Sequence, residues 1–182
     1  SDLKVVVYGL STEGYAIASQ MAIKGADVYI IDESTPSAIS LKSEIAKTYP
    51  NVSSLKEDEP LLAMEPIDVA ISKAQYLFFT PRIRKTGQDI KTEIHSKFKD
   101  AVTSLKKNSS VIFTLATGFG GNNENISLLE HVTGFQAGKN ISYFYYPLED
   151  LNQQPKIIGS FNGKEDLVLS DLLTTTKKEK NL

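Results

Sequence analysis

The chain has 182 residues, 41% of them hydrophobic and 23% charged, the balance of an ordinary globular domain and not of a disordered, collagen-like or coiled-coil chain. Twenty Lys and Arg against 22 Asp and Glu give a net charge of −2, which argues against a nucleic-acid partner. With no Cys there is no disulfide framework, thiolate metal site or cysteine nucleophile, and two His leave little for a His-based metal centre. No apolar run reaches the ~18 residues of a membrane helix, and no basic-then-apolar leader opens the sequence, so a soluble cytoplasmic protein without a membrane partner is the expectation.

The segment Lys4 to Tyr8 is β-branched, apolar without alternation and closed by Gly9, which predicts a strand buried on both faces of a parallel sheet. From Gly14 the period changes. Gly14, Ala18 and Ala22 repeat at four, as do Ile17 and Met21, giving a helix with a small-residue face, ended by Gly25. Asp27 to Asp32 reads as a second strand, so the opening is a βαβ unit. Pro36 to Thr48 is expected to be a helix, with Thr35 as N-cap and Pro36 at the first helical position. Asn51 to Pro66 reads as a short strand plus loop, and Pro66 to Ala74 as a short helix.

Gln75 to Thr80 is a buried strand stopped by Pro81, and a loop follows to Gln88. Asp89 to Lys107 carries the stripe Ile90, Ile94, Phe98, Ala101, Val102 and Leu105 and is the clearest helix. Ser110 to Leu115 is the next strand. Gly118 to Asn123 is turn-rich and leads into a helix to about Val132. Asn140 to Tyr146 alternates and ends at Pro147, Lys156 to Gly159 is a short strand, and Glu165 to Leu173 a short helix. Residues 2–173 therefore form one domain, with a polar, basic tail over 174–182. Alternating strands and helices predict an α/β fold: a Rossmann-type, doubly wound, mostly parallel sheet in a single domain, with strand order 3-2-1-4-5-6. Ligands of such sheets sit beyond the carboxyl ends of the strands, where the loops after Tyr8, Thr80, Leu115 and Tyr146 gather.

The turn Gly9, Leu10, Ser11, Thr12, Glu13, Gly14 fits the three-glycine dinucleotide fingerprint with Ser11 at the middle position. Gly9 makes the tight turn, position 11 stays small for a close approach to pyrophosphate, and Gly14 seats the helix on the strand. The helix amino terminus, reaching Tyr15, offers amide N–H groups and a positive dipole. Glu13 is an electrostatic cost there. Asp32 closes the second strand 18 residues after the last glycine, Gly14, where a carboxylate accepts from ribose hydroxyls and repels a 2′-phosphate, favouring NAD over NADP. The competing reading of the glycine turn is plain helix packing.

On these residues the chain resembles the amino-terminal NAD domain of the UDP-glucose and UDP-N-acetylmannosamine (nucleotide-sugar) 6-dehydrogenases. Val5 to Gly14 is similar to that family's first turn, and Phe79, Thr80 and Pro81 to its Thr-Pro. Leu115 to Gly121 stands where the family has a Ser-Thr-Val-Pro loop, retaining Thr117. Phe135 to Gly138 with Tyr143 to Pro147 resembles its Ala-Gly and Tyr-Ser-Pro-Glu segments. The resemblance implies NAD as cofactor, held by Gly9, Leu10, Ser11, Thr12, Glu13, Gly14, Tyr15 and Asp32, with Thr80 and Thr117 on the nicotinamide side. It implies a UDP-sugar substrate and a part in its NAD-dependent oxidation. The family's Pro-Glu appears here as Pro147, Leu148, Glu149, which makes Glu149 a displaced general-base candidate. The family's second domain, with its nucleophilic Cys, has no counterpart in these residues. A homodimer or a companion chain carrying it is expected, or else a non-catalytic dinucleotide sensor or partner-binding paralogue.

Arg82, Arg84 and Lys85 follow a strand at the expected ligand edge, where they hold a phosphate or carboxylate or are simply solvated. His95 and His131 read as surface or capping residues. Tyr143, Phe144, Tyr145 and Tyr146 read as core and sheet face, or, if exposed, as a partner surface.

Overall fold

The computed structural model describes residues 3–35, 37–84, 87, 89–116, 121–148 and 159–174. Eight strands form one sheet in the order β4-β3-β2-β1-β5-β6-β7-β8. They are β1 (Lys4–Tyr8), β2 (Asp27–Asp32), β3 (Ser37–Leu41), β4 (Met64–Pro66), β5 (Tyr76–Phe79), β6 (Ser110–Phe113), β7 (Ser142–Tyr145) and β8 (Gly159–Ser160). The five strands β2, β1, β5, β6 and β7 are mutually parallel. Strands β3, β4 and β8 run antiparallel to their neighbours at the two edges. The expected Rossmann-type, doubly wound α/β domain is what forms.

Helices cover both faces, as parallel strands apolar on both sides require. Val5, Val7, Val28, Ile30, Phe78 and Ile112 face α1 (Thr12–Ile23), α2 (Ser43–Thr48), α3 (Val52–Glu57) and α7 (Leu167–Leu173). Val6, Tyr8, Ile31, Leu77, Phe79 and Val111 face α4 (Ile67–Lys73), α5 (Asp89–Val102) and α6 (Gly121–Thr133). In α1 the expected small face, Gly14, Ala18 and Ala22, is buried.

The second core is tied by aromatic rings. Phe98 of α5 meets Phe79 edge-on at 5.1 Å and 81°, and Phe113 at 5.7 Å and 71°. Phe79 in turn stacks on Tyr8 and Phe113. Edge-to-face and offset pairs add to the burial that each ring already contributes. Of the four aromatic residues from Tyr143 to Tyr146, Tyr143, Phe144 and Tyr146 are buried, so they belong to the core.

Three expectations change. Residues 37–41 are a strand, not the front of a helix from Pro36. Ile30 faces Ile39 and Val28 faces Leu41 across the β2–β3 pair, and apolar cross-strand burial outweighs the local helix signal. The first third of the sheet is thus an antiparallel pair in place of a third parallel strand. Asn51 starts α3 through a reciprocal capping box with Ser54, so of the short strand plus loop expected over 51–66 the strand is Met64–Pro66 and a helix replaces the front of the loop. Helix α5 ends at Val102, short of Lys107. Leu105 N–H bonds back three residues to Val102, and Asn108 turns the chain at φ 71°.

Phe98→Ala removes the ring that joins Phe79 to Phe113. It is expected to cost about 3–5 kcal/mol in urea unfolding, and an unchanged midpoint contradicts this seating of α5.

Candidate functional site

The bend between β1 and α1 is built by contact with β5. Gly9 has φ 116°, and a Cβ there would lie 2.2 Å from the Thr80 carbonyl oxygen. A Cβ on Gly14 would lie 2.4 Å from Thr80 Oγ1 and 2.7 Å from the Gly9 carbonyl oxygen. Both glycines are therefore demanded by the protein's own packing. The Thr80 hydroxyl is buried and donates to the carbonyls of Tyr8 and Gly9, at 3.2 and 3.1 Å. Ser11 Oγ donates to the Thr80 carbonyl at 3.1 Å and accepts the Gly14 N–H at 3.0 Å, acting as N-cap of α1. The Thr12 and Glu13 N–H groups, next in that first turn, have no partner among the described residues.

Two cavities flank this bend at the carboxyl edge of the parallel strands. One, of about 420 Å³, is lined by Tyr8 and Leu10 on one side, by Asp32, Glu33 and Ser34 after β2, and by Arg82, Arg84 and α5 residues opposite. The other, of about 250 Å³, is lined by Ser11, Glu13, Thr80, Pro81, Thr114, Leu115, Ala116 and Leu148. A third cavity, of about 530 Å³, opens beside Asn108, Asn140 and Ser142 at the amino ends of β6 and β7, away from the bend.

Asp32 is 3% exposed. Its Oδ1 accepts from Ser34 N–H at 3.0 Å and Ser34 Oγ at 2.6 Å. Its Oδ2 is buried, takes no hydrogen bond among the described residues and lies 3.6 Å from Lys56 Nζ. Burial works to raise the Asp32 pKa, but the two Ser34 hydrogen bonds, the Lys56 charge and the Glu59 carboxyl outweigh it, and the group sits below its usual range. Glu59 is pushed up by burial and by the Asp32 carboxylate beside it, while Thr35 donates to its Oε1 at 3.2 Å.

The predicted residues thus divide. Gly9, Leu10, Ser11, Thr12, Glu13 and Gly14 form the bend, with Thr80 beneath it and Asp32 across the larger cavity. Tyr15 turns its ring into the core, and its hydroxyl donates to the Tyr49 carbonyl at 2.6 Å. Burial raises its pKa. Thr117 and Glu149 lie outside the described residues, as does Lys85. His95 lies 3.7 Å from Glu124 near the surface. Sequence reasoning passed over Thr114, whose buried hydroxyl donates to the Phe79 carbonyl at 2.6 Å, and Leu148, both on the smaller cavity. It also passed over Glu33, Glu93 and Lys97. Only the i,i+4 spacing of Glu93 and Lys97 was a visible signal for these.

Because the folded Asp32 pKa is lowered, its ionisation contributes stability above the unfolded-state value that is lost as pH falls through the folded one. Lys56→Met is expected to raise the Asp32 titration midpoint, followed by carboxyl-carbon NMR. An unmoved midpoint contradicts the pairing.

No family model matches the chain, and no curated protein sequence matches it. Solved structures do. The GDP-mannose dehydrogenase of Pseudomonas aeruginosa is 15% identical with a TM-score of 0.64, over 94% of this chain and 43% of that one. The UDP-D-ManNAc dehydrogenase of Pyrococcus horikoshii is 18% identical with a TM-score of 0.66, over 93% and 44%. The reductive aminase of Aspergillus terreus, solved with NADPH, is 11% identical with a TM-score of 0.59, over 95% and 52%. The chain spans about half the length of these proteins or less. At such identities the likeness establishes the fold: this chain has the Rossmann-type α/β architecture found within the nucleotide-sugar dehydrogenases and the reductive aminase.

Proposed function

We propose that this chain is a nicotinamide-dinucleotide-binding unit of an oxidoreductase acting on a nucleotide sugar, with NAD preferred. The observation that carries the reading is the buried Asp32 Oδ2. It accepts no geometric hydrogen bond among the described residues and has Lys56 Nζ at 3.6 Å, while the Asp32 residue lines a 420 Å³ cavity next to the glycine bend. A ribose hydroxyl supplies the missing donor, since a buried polar atom left without a hydrogen bond is destabilising.

The rest of the bend fits the same ligand. The unpartnered amides of Thr12 and Glu13 open the first turn of α1, where backbone N–H groups and the helix dipole favour a pyrophosphate. Ser11 is small, although its hydroxyl is engaged as the cap. Leu10 and Ser11 separate the two cavities, so a dinucleotide crossing the bend places adenosine beside Asp32 and nicotinamide in the 250 Å³ cavity lined by Thr80 and Thr114. In this reading Thr80 shapes the bend from below and Tyr15 supports it from the core. Thr117 and Glu149 remain candidates for the nicotinamide side. A 2′-phosphate would meet Asp32 and Glu33, which supports NAD over NADP. Glu13 stands against the phosphates, and its charge weakens binding.

Hydride transfer is the cofactor's chemistry; these residues bind and orient it. Oxidation of an alcohol through an aldehyde to an acid by covalent catalysis needs a nucleophile such as a thiolate, and these 182 residues contain no Cys. A further part of a longer protein, or a companion chain, would supply it. The same observation supports a second reading, a dinucleotide sensor or partner-binding paralogue without turnover.

A fluorescence titration with NADH is expected to saturate, with NADPH at least about tenfold weaker and Asp32→Ala weakening NADH by a similar factor, about 1.4 kcal/mol. No saturable signal at millimolar NADH removes the dinucleotide reading. With NAD and a UDP-sugar, this chain alone is expected to form no NADH. Sustained turnover contradicts the placing of the nucleophile outside these 182 residues.

A further inference from the structure

Four acids and three bases line the cavity beside Asp32: Asp32, Glu33, Glu93 and Asp100, with Arg82, Arg84 and Lys97. Lys97 is already committed. Its Nζ lies 2.6 Å from Glu33 Oε2 and 3.2 Å from Glu93 Oε2, and it donates to the Arg82 carbonyl at 2.6 Å. The same two carboxylates hold the loop backbone. Arg82 N–H donates to Glu33 Oε1 at 2.9 Å, and Arg84 N–H donates to Glu93 Oε1 and Oε2 at 3.1 and 3.3 Å.

One ammonium and two carboxylates therefore clasp three parts of the chain: the turn after β2, the loop after β5, and α5. The side chains of Lys97, Glu33 and Glu93 are 21%, 16% and 10% exposed, so the clasp is less screened than an open surface pair. It fixes the backbone of Arg82 and Arg84 but leaves both guanidiniums unused. Both residues are exposed, and neither side chain takes an ion pair or hydrogen bond among the described residues.

A guanidinium plane stacks on an aromatic face, and every nucleobase offers one. A ribose held by Asp32 brings its base into the same cavity, opposite the turn of Asp32 to Ser34. A phosphate dianion is the poorer occupant, because the Asp32 and Asp100 carboxylates and the Glu33–Glu93 pair already outnumber the bases of this lining.

We propose that Arg82 and Arg84 grip the adenine of the dinucleotide, and that Glu33, Glu93 and Lys97 are positioning residues that hold the arginine loop in place for it. This rests on the dinucleotide reading and assigns the specificity of its adenosine half to residues outside the glycine turn.

The test is calorimetric titration of the 182-residue chain with ADP-ribose, NADH and adenosine. Arg82→Ala/Arg84→Ala is expected to weaken all three by the same factor, about tenfold or more, with the urea midpoint unchanged. Lys97→Met is expected to lose a similar factor and Lys97→Arg to restore most of it. If the double variant binds ADP-ribose within twofold of the parent chain, the arginine grip is overturned. An effect confined to the phosphorylated ligands overturns the stacking role. If Lys97→Met has no effect, the clasp is overturned. A parent chain that binds neither NADH nor ADP-ribose at millimolar concentration overturns the dinucleotide reading itself.

Discussion

Everything at the carboxyl edge of this sheet depends on how closely the β1–α1 bend lies against the end of β5. The Thr80 hydroxyl is inserted under the bend and satisfies the carbonyls of Tyr8 and Gly9. The space that remains admits no side chain at Gly9 or Gly14. Ser11 returns a hydrogen bond to Thr80 and caps α1. The consequence is a helix whose start is pinned to the neighbouring strand end, with its first two amides without a partner among the described residues. A bend made this way needs no ligand to organise it, and preorganised groups spare the cost of ordering on association.

The electrostatics around the bend are divided between its two sides. On the β2 side, Asp32 is buried but remains ionised because Ser34 and Lys56 support its charge. Next to it Glu33 is drawn across the cavity by Lys97, so two adjacent carboxylates have different tasks. Asp32 lines the cavity with its charge held by Ser34 and Lys56, and Glu33 ties the cavity wall. On the other side Glu13 stands at the mouth of the smaller cavity, where the helix dipole favours an anion and the carboxylate opposes it. In the proposed reading, this suits a neutral, hydroxyl-bearing group beside Asp32 and gives only modest affinity at the phosphates.

Much of this was legible in the sequence. The unbroken apolar runs in β1, β5 and β6 announced strands buried on both faces, and the four-residue repeat of small residues in α1 announced its contact with the sheet. Both signals are strong because burial on two sides and close helix packing each allow few residue types. What failed was decided at long range. Ser37 to Leu41 carries no strand signal of its own and is a strand because Ile30 and Val28 lie across from it. The helix-start pattern of Thr35 and Pro36 was real locally and was overruled by that pairing. The site was half legible for the same reason. Spacing identifies Gly9, Gly14 and Asp32, since their tasks are fixed by the turn. Nothing local announces that Thr80 is spent on two carbonyls, that Tyr15 turns inward to Tyr49, or that Glu33 meets Arg82 and Lys97, 49 and 64 positions further along the chain.

The central claim is that the bend of residues 9–14, with Asp32 opposite, receives a dinucleotide. Amide NMR during an NADH titration tests it most directly. The account predicts saturable shifts concentrated at Thr12, Glu13 and Ser34, with the strands at the amino edge of the sheet unmoved. Shifts that are absent at millimolar NADH, or that cluster around Asn108, Asn140 and Asn162 at the opposite edge, would contradict it.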